Sequence, residues 1–338
     1  MALKLSYECV SYPLRHPFTI SRYTVSIQKA IIVKITDGNV TGYGEATANP
    51  YYESSVKKLA QSVDKVKSIV EKSELLSPQD LWQIIEPKMR DDYFALCAID
   101  IAFWDFIARR ENRTLRSYFS QNTKAPITSY TIGMDTLEVM RAKINEFRWP
   151  LYKIKVGSQN SIEIIKSLRE ITNSTFRIDA NCAWTPSETI LNSENLKAIN
   201  VEFIEQPLAA ENKIGMRKVL LHSQLPVIAD ESCQRESDVL NCVGLFNGVN
   251  IKLMKCGGIT PAIRMIEIAR QHNLKVMLGC MTESTIGISA LVQLATLADY
   301  LDADGAMLLA QDIASGVAFR DGQIIYSQQP GTGAEMFT

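Results

Sequence analysis

Three acidic residues recur at nearly even spacing in the C-terminal half of the chain. They are Asp179 in Arg177-Ile178-Asp179-Ala180-Asn181, Glu205 in Phe203-Ile204-Glu205-Gln206-Pro207, and Asp230 in Ile228-Ala229-Asp230-Glu231-Ser232. The separations are 26 and 25 residues, and each acid closes a short β-branched or apolar run. One strand-helix unit has that length, so the three carboxylates would stand side by side at the ends of neighbouring parallel strands. Three anions held together repel strongly unless something neutralises them. A hard divalent cation with oxygen donors does so, and Mg2+ fits a site that also keeps positions for water and substrate. A single acid at a strand end more often caps a helix. Three at unit spacing point to metal ligation, with one Mg2+ per subunit. Asn181 either faces the same way as Asp179 or serves as a turn residue. Glu231 should point differently, as a partner behind the ligands.

Lys153 and Lys155 lie two apart in Tyr152-Lys153-Ile154-Lys155-Val156. Period-two alternation sends both ammonium groups to one side of a strand, and Ile154 and Val156 to the other. Two cations inside a barrel are costly without anions nearby, which the acids and an anionic substrate would supply. The plain alternative is a solvent-facing Lys-x-Lys. Lys252 falls on the sixth strand of the same series, four from the second and hence opposite it in an eight-membered ring. A substrate over the metal would then have an amine on each side. One lysine abstracts a proton and the other returns it to the opposite face, a 1,1-proton transfer. A proton next to a carboxylate is very weakly acidic, so the developing ene-diolate needs the charge of the metal and of Lys153. The same charges should lower a lysine pKa from its ordinary ~10.4 towards working pH. Lys255, beyond the strand end, reads as a loop charge.

These residues need a frame that repeats. From Pro126 onward, short apolar runs alternate with amphipathic helical patterns. The expected strands are Ile127–Thr131, Leu151–Val156, Thr175–Asp179, Val201–Glu205, Pro226–Asp230, Gly248–Lys252, Lys275–Gly279 and Tyr300–Asp304, starting roughly 22 to 27 residues apart. Eight such units favour a parallel barrel over an open doubly wound sheet, and no glycine-rich dinucleotide fingerprint follows the first strand. The first 125 residues read differently: strand-like runs at Leu3–Tyr7, Ala30–Ile35 and Gly42–Glu45, then helical patterns at Ser54–Val70 and Tyr93–Arg109. Strands followed by helices suggest an α+β domain. The expected organisation is a capping domain over 1–125 and a barrel over 126–310. A tail over 311–338, with a hairpin turning at Asp321-Gly322, would pack back on the cap.

Composition removes other classes. The formal net charge is −1, so no basic excess favours nucleic acid. Seven scattered cysteines form no Cys-x-x-Cys pair, which fits reduced thiols in a cytoplasmic protein. The start, Met1–Val10, lacks the pattern of a signal peptide, and no uncharged stretch is long enough to span a membrane.

Five of these motifs in register, Lys153-Ile154-Lys155, Asp179-Ala180-Asn181, Glu205-Gln206-Pro207, Ala229–Ser232 and Asn250–Ile259, resemble the muconate-lactonising subgroup of the enolase superfamily. The likeness spans nearly the whole chain; Gly42–Glu45 and Ala98–Ala102 look like the family's capping domain and first barrel helix. It implies a modified (β/α)7β barrel, one Mg2+, and a lysine base beside an ene-diolate, the chemistry known for the superfamily. The subgroup's sixth-strand lysine falls on Lys252. A histidine on the seventh strand, required in the mandelate-racemase branch, is missing, and His16, His222 and His272 read as structural. Asp302-Ala303-Asp304 resembles the Asp-x-Asp with which the family's dipeptide epimerases bind a substrate ammonium. Gly279–Ser284 is similar to their seventh-strand end, implying substrate contacts at Met281 and Glu283, with core packing and helix capping as the alternative. Within the loop Arg15–Thr24, Arg22 resembles the arginine that holds a glutamate carboxylate in Ala-Glu epimerases, and Thr131 is a further candidate contact. The resemblance thus implies a dipeptide epimerase acting on L-Ala-D/L-Glu, a murein-type dipeptide, possible as a homo-oligomer. An o-succinylbenzoate synthase, a muconate-type cycloisomerase and a catalytically silent binding protein on the same barrel are the alternatives.

Overall fold

The computed structural model describes residues 3–19, 24–120, 122, 124–158 and 160–337. Its first layer is an antiparallel meander of β1 (Lys4–Thr19), β2 (Thr24–Thr36) and β3 (Thr41–Thr47). Ala30–Val33 is apolar without alternation because the sheet is covered there on both faces. Ile31, Val33 and Ile35 join the main core, while Ile32 packs with Ile286, Ala314 and Ala334. Beneath the sheet lie α1 (Val56–Val70), α2 (Pro78–Ile85) and α3 (Tyr93–Arg110). Helix α3 is buried continuously from Phe94 to Ala108. Gly42 and Gly44 let β3 rest on its backbone: a Cβ at Gly44 would lie 2.0 Å from the Ala98 carbonyl oxygen. The α2 segment was not expected from sequence.

The first two strands run well past the expected ones. The β1–β2 ladder continues to Phe18↔Val25 and Thr19↔Thr24, with an irregularity between Pro13 and Phe18. Two prolines, which cannot donate to a ladder, break the alternation and hide the extension. Most of the expected loop Arg15–Thr24 is therefore hairpin, and this carries Phe18 and Val25 over the barrel mouth.

Eight parallel strands follow: β4 (Tyr130–Ile132), β5 (Leu151–Lys155), β6 (Thr175–Asp179), β7 (Val201–Glu205), β8 (Val227–Ala229), β9 (Gly248–Lys252), β10 (Lys275–Gly279) and β11 (Tyr300–Asp302). They pair in chain order, and a parallel bridge between Thr128 and Leu301 brings the first and last together. A helix follows each of the first seven strands. After β11 comes only a 3-10 turn, Gly305–Leu308, giving the (β/α)7β form. The outer expected strands are trimmed: β4 starts at Tyr130, because Thr128 instead bridges to Leu301 and donates its N–H to Gly322. Asp304 lies beyond β11, at the head of the 3-10 turn. Inside the barrel Phe203, Ile228 and Met277 fill the floor, with Tyr300 packed against them.

The tail divides. A hairpin of β13 (Ala318–Arg320) and β14 (Gln323–Ile325) turns through Asp321 (φ 49°) and Gly322 (φ 77°). In a separate two-stranded sheet, β12 (Ala314–Ser315) pairs antiparallel with β15 (Glu335–Met336). The hairpin tip meets the barrel, where a Cβ on Gly322 would touch Ile127 and Pro150. The stretch Gly331–Glu335 meets α3, through the Thr332 N–H on Asp105 and through Ala334 and Glu335 on Arg109.

Candidate active site

The inward positions of the strands are set by parity. Lys153 and Lys155 face the barrel interior, and Ile154 and Val156 pack into the surrounding core, as alternation requires. Register puts Lys155, Asp179 and Glu205 level across β5, β6 and β7. On the other arc Lys252, Gly279 and Asp302 are level across β9, β10 and β11. One carboxylate oxygen from each of Asp179, Glu205 and Asp230 falls within 4.8 Å of the other two, and all three residues are buried.

Each lysine meets an acid. Lys155 Nζ lies 2.8 Å from Asp179 Oδ2 and donates to Asn181 Oδ1 at 3.2 Å. Lys153 Nζ lies 2.8 Å from Asp302 Oδ2, 2.8 Å from Glu205 Oε2 and 3.1 Å from Asp179 Oδ2. From the far wall Lys252 Nζ reaches Asp230 Oδ2 at 2.8 Å. Glu205 Oε2 is buried beside the Lys153 ammonium. Three buried carboxylates that converge to within 4.8 Å, with ammonium and amide N–H groups against them, are a donor set that suits a hard divalent cation. Asp179, Glu205 and Asp230 fit the ion expected from sequence.

The electrostatics follow from burial and these pairs. Burial opposes the charge of Asp179 and Asp230, but the lysines more than offset it and hold both below the ordinary carboxylate value. At Glu205 burial wins and its pKa rises. Burial also opposes the Lys252 ammonium, yet Asp230 raises its pKa above the lysine norm. The expected lowering belongs to the site with its cation bound, where that charge opposes the Asp230 carboxylate beside the amine.

Other sequence-derived residues separate clearly. Thr131 and Asp304 line the cavity, and the Thr131 N–H donates to Asp304 Oδ2 at 2.6 Å. Asp302 lines it too, already bound to Lys153. Met281 lines it, with Asn49 Nδ2 at 3.8 Å from its sulfur. Glu283 does not. Its Oε1 accepts the Met281 N–H at 2.9 Å and a Cβ on Gly287 would sit 2.0 Å from its Oε2, so this tight loop turns the carboxylate back on itself. The expected substrate contact at Glu283 is corrected accordingly. Burial, then Glu45, pushes its pKa up to about 8. Arg22 lies outside the described residues. Glu231 is buried next to Asp230 and is among the residues that line the cavity. The cap adds Phe18, Val25, Gln28, Asn49, Tyr51 and Tyr52 to the walls.

Lys255 is no loop charge. It is wholly buried and donates to Asp230 Oδ1 (2.7 Å) and to the carbonyl oxygens of Asp230, Cys233 and Asn250 at 2.6–3.0 Å. Two further residues went unread. Asn250 Nδ2 donates to Glu205 Oε1 at 2.7 Å, and Gln206 Oε1 accepts the N–H groups of Asp230 and Ser232. Parity with Lys252 was the available signal for Asn250. Gln206 stands in the Glu205-Gln206-Pro207 motif, but its role depends on a left-handed backbone at φ 36°, which the motif does not specify.

With this architecture, sequence comparison gives a consistent answer. Residues 135–337 match the enolase C-terminal domain-like family, and residues 3–118 match the mandelate racemase / muconate lactonizing enzyme N-terminal domain. The chain belongs to the mandelate racemase / muconate lactonizing enzyme family of the enolase superfamily. Among its relatives, an L-Ala-D/L-amino acid epimerase of Flavobacterium johnsoniae is 48% identical, covering 99% of this chain and 100% of the relative. An L-Ala-D/L-Glu epimerase of Bacteroides thetaiotaomicron is 34% identical over 98% of this chain and 87% of its own. The solved structure of a dipeptide epimerase from Enterococcus faecalis V583, complexed with Mg and L-Leu-L-Tyr, superposes with a TM-score of 0.93. Its identity is 27%, with 99% of both chains covered.

Proposed function

We propose that the protein is a Mg2+-dependent dipeptide epimerase that inverts the α-carbon of the C-terminal residue by proton transfer between two lysines. The observation that carries this reading is a single cavity with Lys155 on β5 and Lys252 on β9, four strands apart, and three buried acids between them. The relatives named above support the substrate class. A lysine base beside Mg2+ and an ene-diolate is the superfamily's known pattern, so what this chain adds is the identity of the residues.

Lys155 takes the α-proton of one epimer and Lys252 that of the other; the opposite amine then delivers a proton to the second face. Lys153, held at the centre of the site, gives its positive charge to the ene-diolate oxygens as they gain electrons. To act as a base, Lys252 must shed a proton, which Asp230 resists until another cation takes up that carboxylate's charge. Asp179, Glu205 and Asp230 would hold the ion, which when bound supplies Lewis-acid stabilisation to the substrate carboxylate. Asp302-Ala303-Asp304 offers negative charge for the substrate ammonium, and Thr131 and Met281 wall the same space. The β1–β2 hairpin covers the mouth and limits water, which strengthens every charge interaction beneath it.

We assign L-Ala-Xaa dipeptides as the substrates, with L-Ala-D/L-Glu first among them and Arg22 as the partner of its side-chain carboxylate. A role in cell-wall peptide metabolism, a cytoplasmic location and assembly as a homo-oligomer belong to the same proposal. No helix among the described residues is long and apolar enough to cross a membrane. Incubation of L-Ala-Xaa dipeptides with enzyme and Mg2+ in D2O, followed by proton NMR, tests the reading. The expected result is α-deuteration of the C-terminal residue and appearance of the second diastereomer. Silence on every dipeptide overturns it.

A further inference from the structure

The cap contributes two carboxamides to the walls of the cavity, Gln28 on β2 and Asn49 just beyond β3. Their surroundings differ. Asn49 Oδ1 accepts the Tyr51 N–H at 3.0 Å, and its Nδ2 faces the Met281 sulfur at 3.8 Å. Gln28 turns its nitrogen to the backbone: Nε2 donates to the Lys29 carbonyl oxygen at 2.9 Å and to the Ala48 carbonyl oxygen at 2.8 Å. A carboxamide has two N–H donors, so both are spent. Carbonyl oxygens only accept, and reversing the amide would set oxygen against oxygen. The anchor is firm, because the Ala48 N–H donates to the same Lys29 oxygen and closes the end of the β2–β3 ladder. Gln28 is 9% exposed, that exposure lies on the cavity, and no described residue donates to its Oε1. An oriented acceptor is left for whatever enters.

The rest of the site decides what this oxygen meets. In the planar intermediate of the epimerase reading, three substituents of the α-carbon lie between the two lysines. The carboxylate points to the acid triad, and the peptide nitrogen runs towards Asp302 and Asp304. The side chain is left the third direction, out of the barrel and under the cap. Phe18 and Val25 of the β1–β2 hairpin wall that space with apolar groups. Gln28 Oε1 is a polar atom held against it.

We propose that Gln28 determines specificity at the epimerised residue: its Oε1 accepts from a side chain that ends in an N–H or O–H donor, and this brings dipeptides ending in Gln into the substrate class. The inference rests on the epimerase reading and deepens it. Arg22 is assigned to an anionic side chain, whereas Gln28 serves a neutral one that carries a donor. A side chain of the same shape without a donor leaves the acceptor unpaired, and the loss of that hydrogen bond is felt in the transition state as in the bound substrate.

Steady-state kinetics on two L-Ala dipeptides test this. One ends in L-Gln; the other ends in its side-chain methyl ketone, in which a methyl group replaces the amide nitrogen at unchanged shape. On the wild type, kcat/KM should be about five- to tenfold lower for the ketone. Gln28→Met should bring the two dipeptides within about twofold of each other, whatever the variant does to both in common. Equal turnover of the pair by the wild type overturns the proposal without any variant, so a Gln28→Met chain that folds poorly leaves the test standing. A gap that persists undiminished in Gln28→Met also overturns it, since the donor would then be read by another group. A wild type silent on every L-Ala dipeptide defeats the epimerase reading and this proposal with it. A wild type active on other L-Ala dipeptides, but inert or indifferent to this pair, defeats this proposal alone.

Discussion

At the residue scale, the site is a set of buried charges whose positions are held by neighbours that carry no chemistry themselves. Asn250 holds Glu205, and Gly279 makes room for it, since a Cβ there would lie 2.4 Å from the Asn250 amide oxygen. Asn250→Ala should therefore lower Mg2+ affinity about 10- to 100-fold, read by calorimetric titration, with the fold intact. Lys255 is bound more deeply than any catalytic candidate. Lys255→Met leaves Asp230 Oδ1 and three carbonyl groups without their donor, and should cost about 3–5 kcal/mol in chemical denaturation. An unchanged midpoint would mean that those four contacts contribute nothing net. The acids and the lysines of the site were legible because strand spacing and parity are properties of sequence. Lys255 reads as solvent-facing because it lies just past a strand, whereas the short helix Leu253–Cys256 turns it back under Asp230.

At the scale of elements, the barrel strands were the most legible part. Thr175–Asp179, Val201–Glu205, Gly248–Lys252 and Lys275–Gly279 coincide with their expected bounds. Buried parallel strands between regular helices announce themselves as apolar runs. What stayed hidden depends on contacts distant in sequence: the long β1–β2 hairpin, interrupted by Pro13 and Pro17, and the seam at Thr128 that shortens β4. The orientation of Glu283 belongs here too, because it follows from a loop conformation. Gly44 shows how narrow such contacts are. Gly44→Ala drives a methyl into the α3 backbone at Ala98 and should destabilise the protein by more than about 3 kcal/mol, seen as a large fall in melting temperature. A variant as stable as wild type would show that β3 can lift off α3 cheaply.

At the scale of the molecule, buried acids couple the cap to the barrel and make stability depend on pH. Glu45 accepts from the Ser284 N–H, the Ser284 hydroxyl and the Gly287 N–H, yet burial pushes its pKa up to about 7 from 4.5. Asp100 on α3 accepts from Thr260 of the barrel and is likewise raised by burial, to about 7 from 3.8. Between about pH 4 and pH 7 the folded chain keeps protons that the unfolded chain has lost. Stability from these groups is therefore greatest at the acid end of that window and declines as pH rises through it, by on the order of 3 kcal/mol for each. Asp179, lowered by its lysines, acts in the opposite sense: its contribution is present above its ordinary 3.8 and is lost as pH falls below it. Denaturation of Glu45→Gln between pH 5 and pH 8 should show a shallower decline than wild type. Parallel curves would show that Glu45 is ionised throughout.

The two-wall transfer is tested most directly by following α-deuterium uptake from each dipeptide epimer separately, in D2O, with Lys155→Ala and Lys252→Ala. Both variants should lose epimerisation by about 10²- to 10⁴-fold, while each still exchanges the α-proton of one epimer, and not the same one. If both variants lose exchange on the same epimer, or if either still inverts the centre at the wild-type rate, the lysines do not work from opposite faces.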